Sequence, residues 1–408
     1  MLSPYTVLDL TDDRGELASM VLGDLGADII KAEPPKGSSS RRMGPFLEGA
    51  PEPERSLHFF SFNRNKRGIT LDLTAEAGRR ALLRLVEKAD FLIESARPGE
   101  MDELGLGFDA LRRVNPRLVY VAITAFGQDG PYADFAASDL TLAAMGGSMS
   151  LQGDPSRPPV RITVPQVWLQ ASAEAVVAAL TAHARMLRTG EAQFVDVSAQ
   201  TAVVWTMLNA MVAHAIQGSD FNRAGSTLQL GTIALPLVYE CADGYAVLLL
   251  NGAMLARIIH WLVEDGVVAQ EWIEGEDWRW YDVRLLQGEP LRYGIQEVLD
   301  ACRRYARRHT KKELLERGLR EGVTIAPVNT VEDVARFRHL QERGYWLVAP
   351  LPDGGQAPVP GIFARLTQTP MTVRRWAPKL GEHNQQILGG ILGLSAEELA
   401  AASGTRTG

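Results

Sequence analysis

The chain has 408 residues, of which 46% are apolar and 22% charged, so it can bury a large core and is long enough for two domains. Its formal net charge of −7 gives no electrostatic reason to expect nucleic acid or an anionic membrane surface as a partner. Cys241 and Cys302 lie far apart and in no CxxC pair, which fits a reducing compartment and argues against zinc. The opening MLSPYTVLDLTDD lacks a basic segment followed by a long apolar run. No window approaches the roughly 18–20 apolar residues of a membrane span. A cytoplasmic protein is expected.

In chain order, residues 7–10 predict a short strand, residues 15–25 a helix closed by Gly26, and residues 28–31 the start of a second strand. Strand, helix and strand in so short a span predict a βαβ unit with a parallel pair. Gly23 and Gly26 sit at the helix end and outside any GxGxxG fingerprint, so they read as structural. Residues 34–46 form an exposed Gly-, Ser- and Pro-rich loop whose cations Lys36, Arg41 and Arg42 can approach an anion. The cations Arg64, Lys66 and Arg67 read by themselves as solvated surface. Residues 69–73 alternate and predict a strand, and Thr74 is placed to cap a helix reaching about Lys88. Residues 91–94 and 118–124 predict buried strands, with a short helix over 109–114 between them. Asp139 reads as the first residue of a helix, and residues 146–159 as a polar connection.

Residues 170–188 hold neither Gly nor Pro and predict a helix, with Val176, Val177, Leu180 and Leu187 as a candidate buried stripe. Thr189-Gly190 ends it, and residues 194–197 predict a short buried strand. A Met- and Ala-rich helical stretch then runs to about Ile216. Residues 238–247 predict a hairpin turning at Asp243-Gly244. Trp261, Trp272, Trp278 and Trp280 read as a core or interface cluster, followed by a charged helix over 311–320 and a strand over 323–328. The histidines show no HExxH spacing, and no GxSxG elbow or GxxxxGK[ST] loop occurs.

Several separated strings resemble one family. The helix, RTG turn and QFVDVS strand over residues 170–198 resemble the central segment of the family III CoA-transferases of the formyl-CoA/carnitine CoA-transferase type. So do DLGADIIKAE, the PPKGSSSRRMGP loop, NKRGITLDL over residues 65–73, and the ARPG turn at 96–99. AFGQDGP, SDLTLAAMGG, ECADGY and the closing APKLGEHN extend the resemblance along nearly the whole chain. It implies an α/β fold: a large Rossmann-like domain from residues 1–205 and 330–408, a smaller α/β domain over 206–329, and an interlocked dimer. It implies CoA and acyl-CoA as substrates, a small carboxylic acid as acceptor, no permanently bound cofactor and no metal. By resemblance, Arg41, Arg42 and Arg97 lie near CoA phosphate, the backbone of Leu71, Asp72, Leu73 and Thr74 meets the adenine, and Arg64, Lys66 and Arg67 become a candidate nucleotide-facing cluster beside their reading as solvated surface. Ser95 and Ala96 stand where the family has an Asn-Phe pair, which alters that part of the pocket.

In this family a catalytic Asp sits just before the central helix. Here that place holds Pro165-Gln166-Val167-Trp168. Counting back from Thr189-Gly190 puts the position near Trp168, and a small gap puts it at Gln166. Neither is a carboxylate, and a neutral Gln amide is a poor nucleophile for a thioester. The nearest carboxylates, Asp154 in a loop and Glu174 inside the helix, read as solvated. The expectation is therefore the non-nucleophilic subunit of a heteromeric CoA-transferase, paired with a homologous Asp-bearing subunit. The alternatives are a self-sufficient transferase or isomerase with an unassigned nucleophile, and a CoA-binding protein without turnover.

Overall fold

The computed structural model describes residues 1–230 and 233–404. The chain divides into two compact units. The first comprises Met1–Ser150, Arg161–Phe221 and the chain from Gly344 onward; the second comprises Leu151–Val160 and Asn222–Arg343. The first unit thus uses both chain ends. Its inner boundaries fall later in the chain than residues 205 and 330, and the short excursion of Leu151–Val160 into the second unit has no counterpart in the expected division.

The first unit is built on β1 (Thr6–Leu10), β2 (Asp28–Glu33), β3 (Lys66–Thr70), β4 (Phe91–Glu94), β5 (Val119–Thr124) and β6 (Gln193–Ser198). All pairings are parallel, and the order is β3-β2-β1-β4-β5-β6. The runs Val7-Leu8, Ile29-Ile30, Leu92-Ile93 and Val119–Ile123 are fully buried, as befits strands covered on both faces. Its helices are α1 (Glu16–Asp24), α2 (Leu57–Phe62), α3 (Glu76–Val86), α4 (Glu100–Glu103), α5 (Phe108–Val114), α6 (Asp139–Met145), α7 (Val167–Thr189), α8 (Ala199–Trp205) and α9 (Leu208–Gln217).

Four local expectations change. The strand expected over residues 69–73 begins at Lys66 and ends at Thr70. Ala75, not Thr74, precedes α3; the Thr74 hydroxyl donates instead to Asp72 Oδ1 at 2.6 Å, closing a turn. β6 is an edge strand and only partly buried. The buried face of α7 is an alanine stripe, Ala171, Ala175, Ala179 and Ala182 with Val176 and Met186, and these small side chains bring the helix against β5 and β6. Val177 and Leu187 are 63% and 54% exposed.

The second unit holds an antiparallel sheet of Val238–Cys241, Gly244–Leu248 and Ile325–Pro327. Gly244 pairs with Cys241, so Ala242 and Asp243 form the hairpin loop. Trp261, Trp272 and Trp278 are in its core, whereas Trp280 is 60% exposed.

The interior of the first unit contains charges. Asp9, Glu16, Glu33, Lys31, Lys66 and Arg41 are all buried. Lys66 Nζ lies 2.9 Å from Asp9 Oδ2 and donates to Asn63 Oδ1 at 2.9 Å and to the Glu16 carbonyl at 2.8 Å. Lys31 Nζ lies 3.2 Å from Glu16 and 3.5 Å from Asp9, and also donates to the Thr11 carbonyl. Burial alone would push the Asp9 carboxyl up, but Lys31 and Lys66 hold it well below the usual carboxylate range. The neighbouring Arg64 and Arg67 are also buried, paired with Asp24 at 2.7 Å and with Asp28. The three cations of this string therefore serve the fold; they are neither solvated nor nucleotide-facing.

The last part of the chain closes the β3 side. Asn65 N–H donates to the Arg375 carbonyl at 2.9 Å, Gly68 N–H to His383 Nδ1 at 3.2 Å, and Thr70 N–H to Asn384 Oδ1 at 2.8 Å. Arg374 donates to the carbonyls of Gly23 and Gly26 at 2.9 and 3.0 Å, satisfying the open end of α1.

Two predictions follow from this interior. Lys66→Met keeps length and volume but leaves Asp9 short of a partner, so equilibrium denaturation should show a loss of about 3–5 kcal/mol. His183 on α7 is 5% exposed, meets Tyr5 edge-on and Phe91 at a tilt with ring centres 4.5 and 4.8 Å away, and neither ring nitrogen has a hydrogen-bond partner. Burial lowers its pKa in the folded state. The unfolded chain therefore binds more protons below the ordinary histidine value of about 6.5, and stability falls as the pH drops through that value. His183→Phe should flatten the melting temperature between about pH 7 and 5.5 relative to the unaltered chain.

Candidate functional site

The strand order reverses at β1, which pairs with β2 on one side and β4 on the other. At such a switch point the loops leaving the carboxyl ends of the strands diverge and open a crevice. Here the diverging segments are Thr11–Arg14 after β1 and Ser95–Gly99 after β4.

Ser95 joins the two sides. Its hydroxyl accepts from Asp12 N–H at 2.9 Å and donates to Asp12 Oδ1 at 2.9 Å. Asp12 in turn holds Arg14 in a fork, with Nε to Oδ1 at 2.8 Å and Nη2 to Oδ2 at 2.6 Å. Burial works against the Asp12 anion, but the Arg14 fork overrides it and keeps the carboxyl below its ordinary range. Arg14 is at the same time part of the crevice lining.

Arg14 borders two clefts. The larger, about 740 Å³, is lined by Arg14, Ala96, Arg97, Thr124, Ala125 and Trp168. The smaller, about 330 Å³, is lined by Asp13, Arg14, His58, Asp139, Pro165 and Trp168 among others. A third cleft of about 360 Å³ lies on the other side of Arg97, over Glu94, Tyr120, Phe108 and Phe194. Burial pushes the Glu94 carboxyl up to about 8, so it is mainly protonated at neutral pH, and it accepts from Ala96 N–H at 2.5 Å.

Of the residues expected at the site, Arg97 is placed in the crevice. Its side chain is 59% exposed and pairs with Glu103, and Gly99 at φ +79° turns the chain into α4. Arg41 is elsewhere. It is 1% exposed, bound to Glu33 at 2.6 and 2.8 Å, to Glu54 at 3.1 Å and to the Pro378 carbonyl at 3.0 Å, with Phe59 against its plane. A guanidinium so engaged holds the loop and has little left for phosphate. Arg42 is exposed and makes only long contacts to the Lys36 and Gly37 carbonyls. Leu71–Thr74 follow β3, and Leu71 is buried with its N–H on the Glu33 carbonyl. None of Arg41, Arg42 and residues 71–74 lines the two clefts that contain Arg97. β1 and β2 stand between β3 and β4.

At the start of α7, Gln166 occupies the cap position but makes no cap hydrogen bond; its amide reaches only the Val164 and Pro165 carbonyls at 3.4 and 3.3 Å. The first helical N–H, that of Val167, donates to Asp139 Oδ1 at 2.7 Å. A carboxylate thus meets the α7 N-terminus, but it comes from α6, where negative charge is favoured by the helix dipole. Trp168 is 7% exposed in the first turn. Glu174 is exposed, and Asp154 caps its own loop through Ser156 in the second unit.

Arg14 is a site residue that motif reading passed over, and Trp168 entered it only as a position without an acid. Their signal was position: one in the turn after the central strand, the other in the first turn of the helix that follows the crevice. Chemically, the crevice offers guanidinium groups for anionic ligand groups and no acylatable side chain at residues 165–168. Among the described residues no cluster of His, Cys, Asp and Glu could hold a metal ion, and no helix is long and apolar enough to cross a membrane.

Comparison with known proteins agrees with this geometry. The model of CoA-transferase family III matches residues 2–384. The succinyl-CoA:(R)-benzylsuccinate CoA-transferase subunit BbsE of Thauera aromatica is 34% identical, over 95% of this chain and 93% of that protein. A succinate–glutarate CoA-transferase of Agrobacterium fabrum is 30% identical, over 92% of this chain and 91% of its own length. The crystal structure of a CAIB/BAIF family protein from Brucella suis superposes with a TM-score of 0.80 at 28% identity, over 95% of this chain and 98% of that one. With its switch-point crevice and its end-to-end sequence match, this chain belongs to the family III CoA-transferases.

Proposed function

We propose that this chain is the non-nucleophilic subunit of a heteromeric CoA-transferase that moves CoA from an acyl-CoA to a carboxylic acid. The substrate pair we propose is succinyl-CoA with an aryl-succinate, and the partner is a homologous Asp-bearing subunit. One observation carries the reading: the α7 N-terminus of a family III chain bears Gln166 and Trp168 and no acid of its own. The similarity to a benzylsuccinate CoA-transferase subunit supports the choice of substrates.

In the proposed reaction the partner's carboxylate attacks the thioester carbonyl, forming a mixed anhydride and releasing CoA thiolate. The thiolate then attacks the aspartyl carbonyl, releasing the donor acid and leaving an enzyme–CoA thioester. The acceptor acid runs these steps in reverse. A carboxylate suits the role because it is anionic near neutrality and also leaves readily from an anhydride. This chain would supply Arg97 to a CoA phosphate; the strip Leu71–Thr74, outside the clefts that Arg97 lines, would meet the nucleotide only of a CoA extended across the strand ends, while Arg41 keeps its place in the fold.

Assembly is favoured by exposed apolar surface. On α8 and α9, Trp205, Met211 and Ile216 are 60%, 43% and 78% exposed. An apolar groove of about 990 Å³ runs past Leu57, Phe60, Leu180, Phe363 and Trp376. Surfaces of this kind mark contacts with another chain.

Two measurements test the reading. Co-purified with its Asp-bearing partner, the chain should support transfer, and alone it should be slower by about a thousandfold or more. Full activity alone, with a hydroxylamine-sensitive adduct mapped to Asp139 or another of its residues, would make it its own nucleophile. Arg97→Ala should weaken CoA binding about five- to tenfold by calorimetry, the loss of one exposed charge-assisted contact, without shifting the melting temperature.

A further inference from the structure

Trp168 stands between the two clefts that share Arg14. The larger and the smaller cleft have Arg14, Ala137 and Trp168 in common, so these side chains are a wall with a cavity on each face. The indole is the bulk of that wall. It is 7% exposed and fixed in the first turn of α7, whose leading N–H is pinned to Asp139.

The two cavities differ in charge. The larger, about 740 Å³, balances Arg14 and Arg97 against Glu103 and Asp134 and has small side chains at Ala96, Ala125 and Ala136, which leave room for a slender chain. The smaller, about 330 Å³, presents the carboxylates of Asp13 and Asp139. Its one guanidinium, Arg14, already has Nε and Nη2 on Asp12. An acyl group ending in a carboxylate would therefore meet like charge there, as well as the indole in its way.

We propose that Trp168 is a specificity-determining partition: it bars the acyl end of a CoA thioester from the smaller cavity, so this chain holds free CoA in preference to carboxyacyl-CoA. The inference rests on the reading of the chain as a non-nucleophilic subunit. It gives that subunit a selectivity opposite to what a donor site needs.

The test is a calorimetric titration of the full chain with CoA and with a non-hydrolysable CoA thioether bearing a carboxyalkyl group. The unaltered chain should bind CoA at least about tenfold more tightly than the thioether. Trp168→Leu and Trp168→Ala should bring the ratio of the two affinities to within about threefold, and an unchanged far-ultraviolet circular-dichroism spectrum separates an opened wall from a damaged fold. Equal binding of the two ligands by the unaltered chain, binding of neither, or variants that leave the ratio unchanged would overturn the partition. The subunit reading fails on a different result, turnover by the chain alone, which this titration does not measure.

Discussion

The sheet is held in register by charges that never see water. Asp9, Glu16 and Glu33 balance Lys31, Lys66 and Arg41, and each of the six is at most 1% exposed. Taking such groups out of water costs several kcal/mol apiece, and only close pairing with further hydrogen bonds offsets it. Ser19, Thr11 and Asn63 supply those bonds, at 2.5 Å and 2.6 Å to Asp9 and 2.9 Å from Lys66. The web joins β1, β2, β3, α1 and the loop at residues 38–42. Because both Asp9 and Lys31 hold Thr11, it also fixes the turn from which Asp12 and Arg14 reach the crevice. The shape of the site is thus a consequence of the interior behind it.

Most of the parallel sheet was legible in the chain. Runs such as Val7–Leu10 and Val119–Thr124 are short, branched and apolar, and they fold as buried strands. What was not legible is who pairs with whom. Arg64, Lys66, Arg67 and Arg41 look alike in sequence, as cations in polar surroundings. Their partners Asp24, Asp9, Asp28 and Glu33 lie between 8 and 57 residues away, and periodicity carries no trace of such pairs. The stripe of α7 was misread for a related reason. A helix that must approach a sheet closely buries Ala171, Ala175 and Ala179 and leaves larger Val177 and Leu187 outside.

The site shows the same split. The turn after β4 announces itself through Arg97-Pro98-Gly99, and the fold brings it to the switch point. The carboxylate at the head of α7 could not be foreseen, because Asp139 is 28 residues from the Val167 amide it binds. Its arrival satisfies a helix terminus whose own cap residue, Gln166, does not. The electrostatic demand of that terminus persists although the chain has no acid there.

The interlacing of both chain ends in the first unit has a consequence for biosynthesis. When β3 emerges from the ribosome, the carbonyl of Arg375 and the side chains of His383 and Asn384 that complete its backbone hydrogen bonds are more than three hundred residues from being made. α1 likewise waits for Arg374. The nascent polypeptide must carry an unfinished sheet margin until residues 374–384 have left the ribosome, and folding of this unit can only be completed after that.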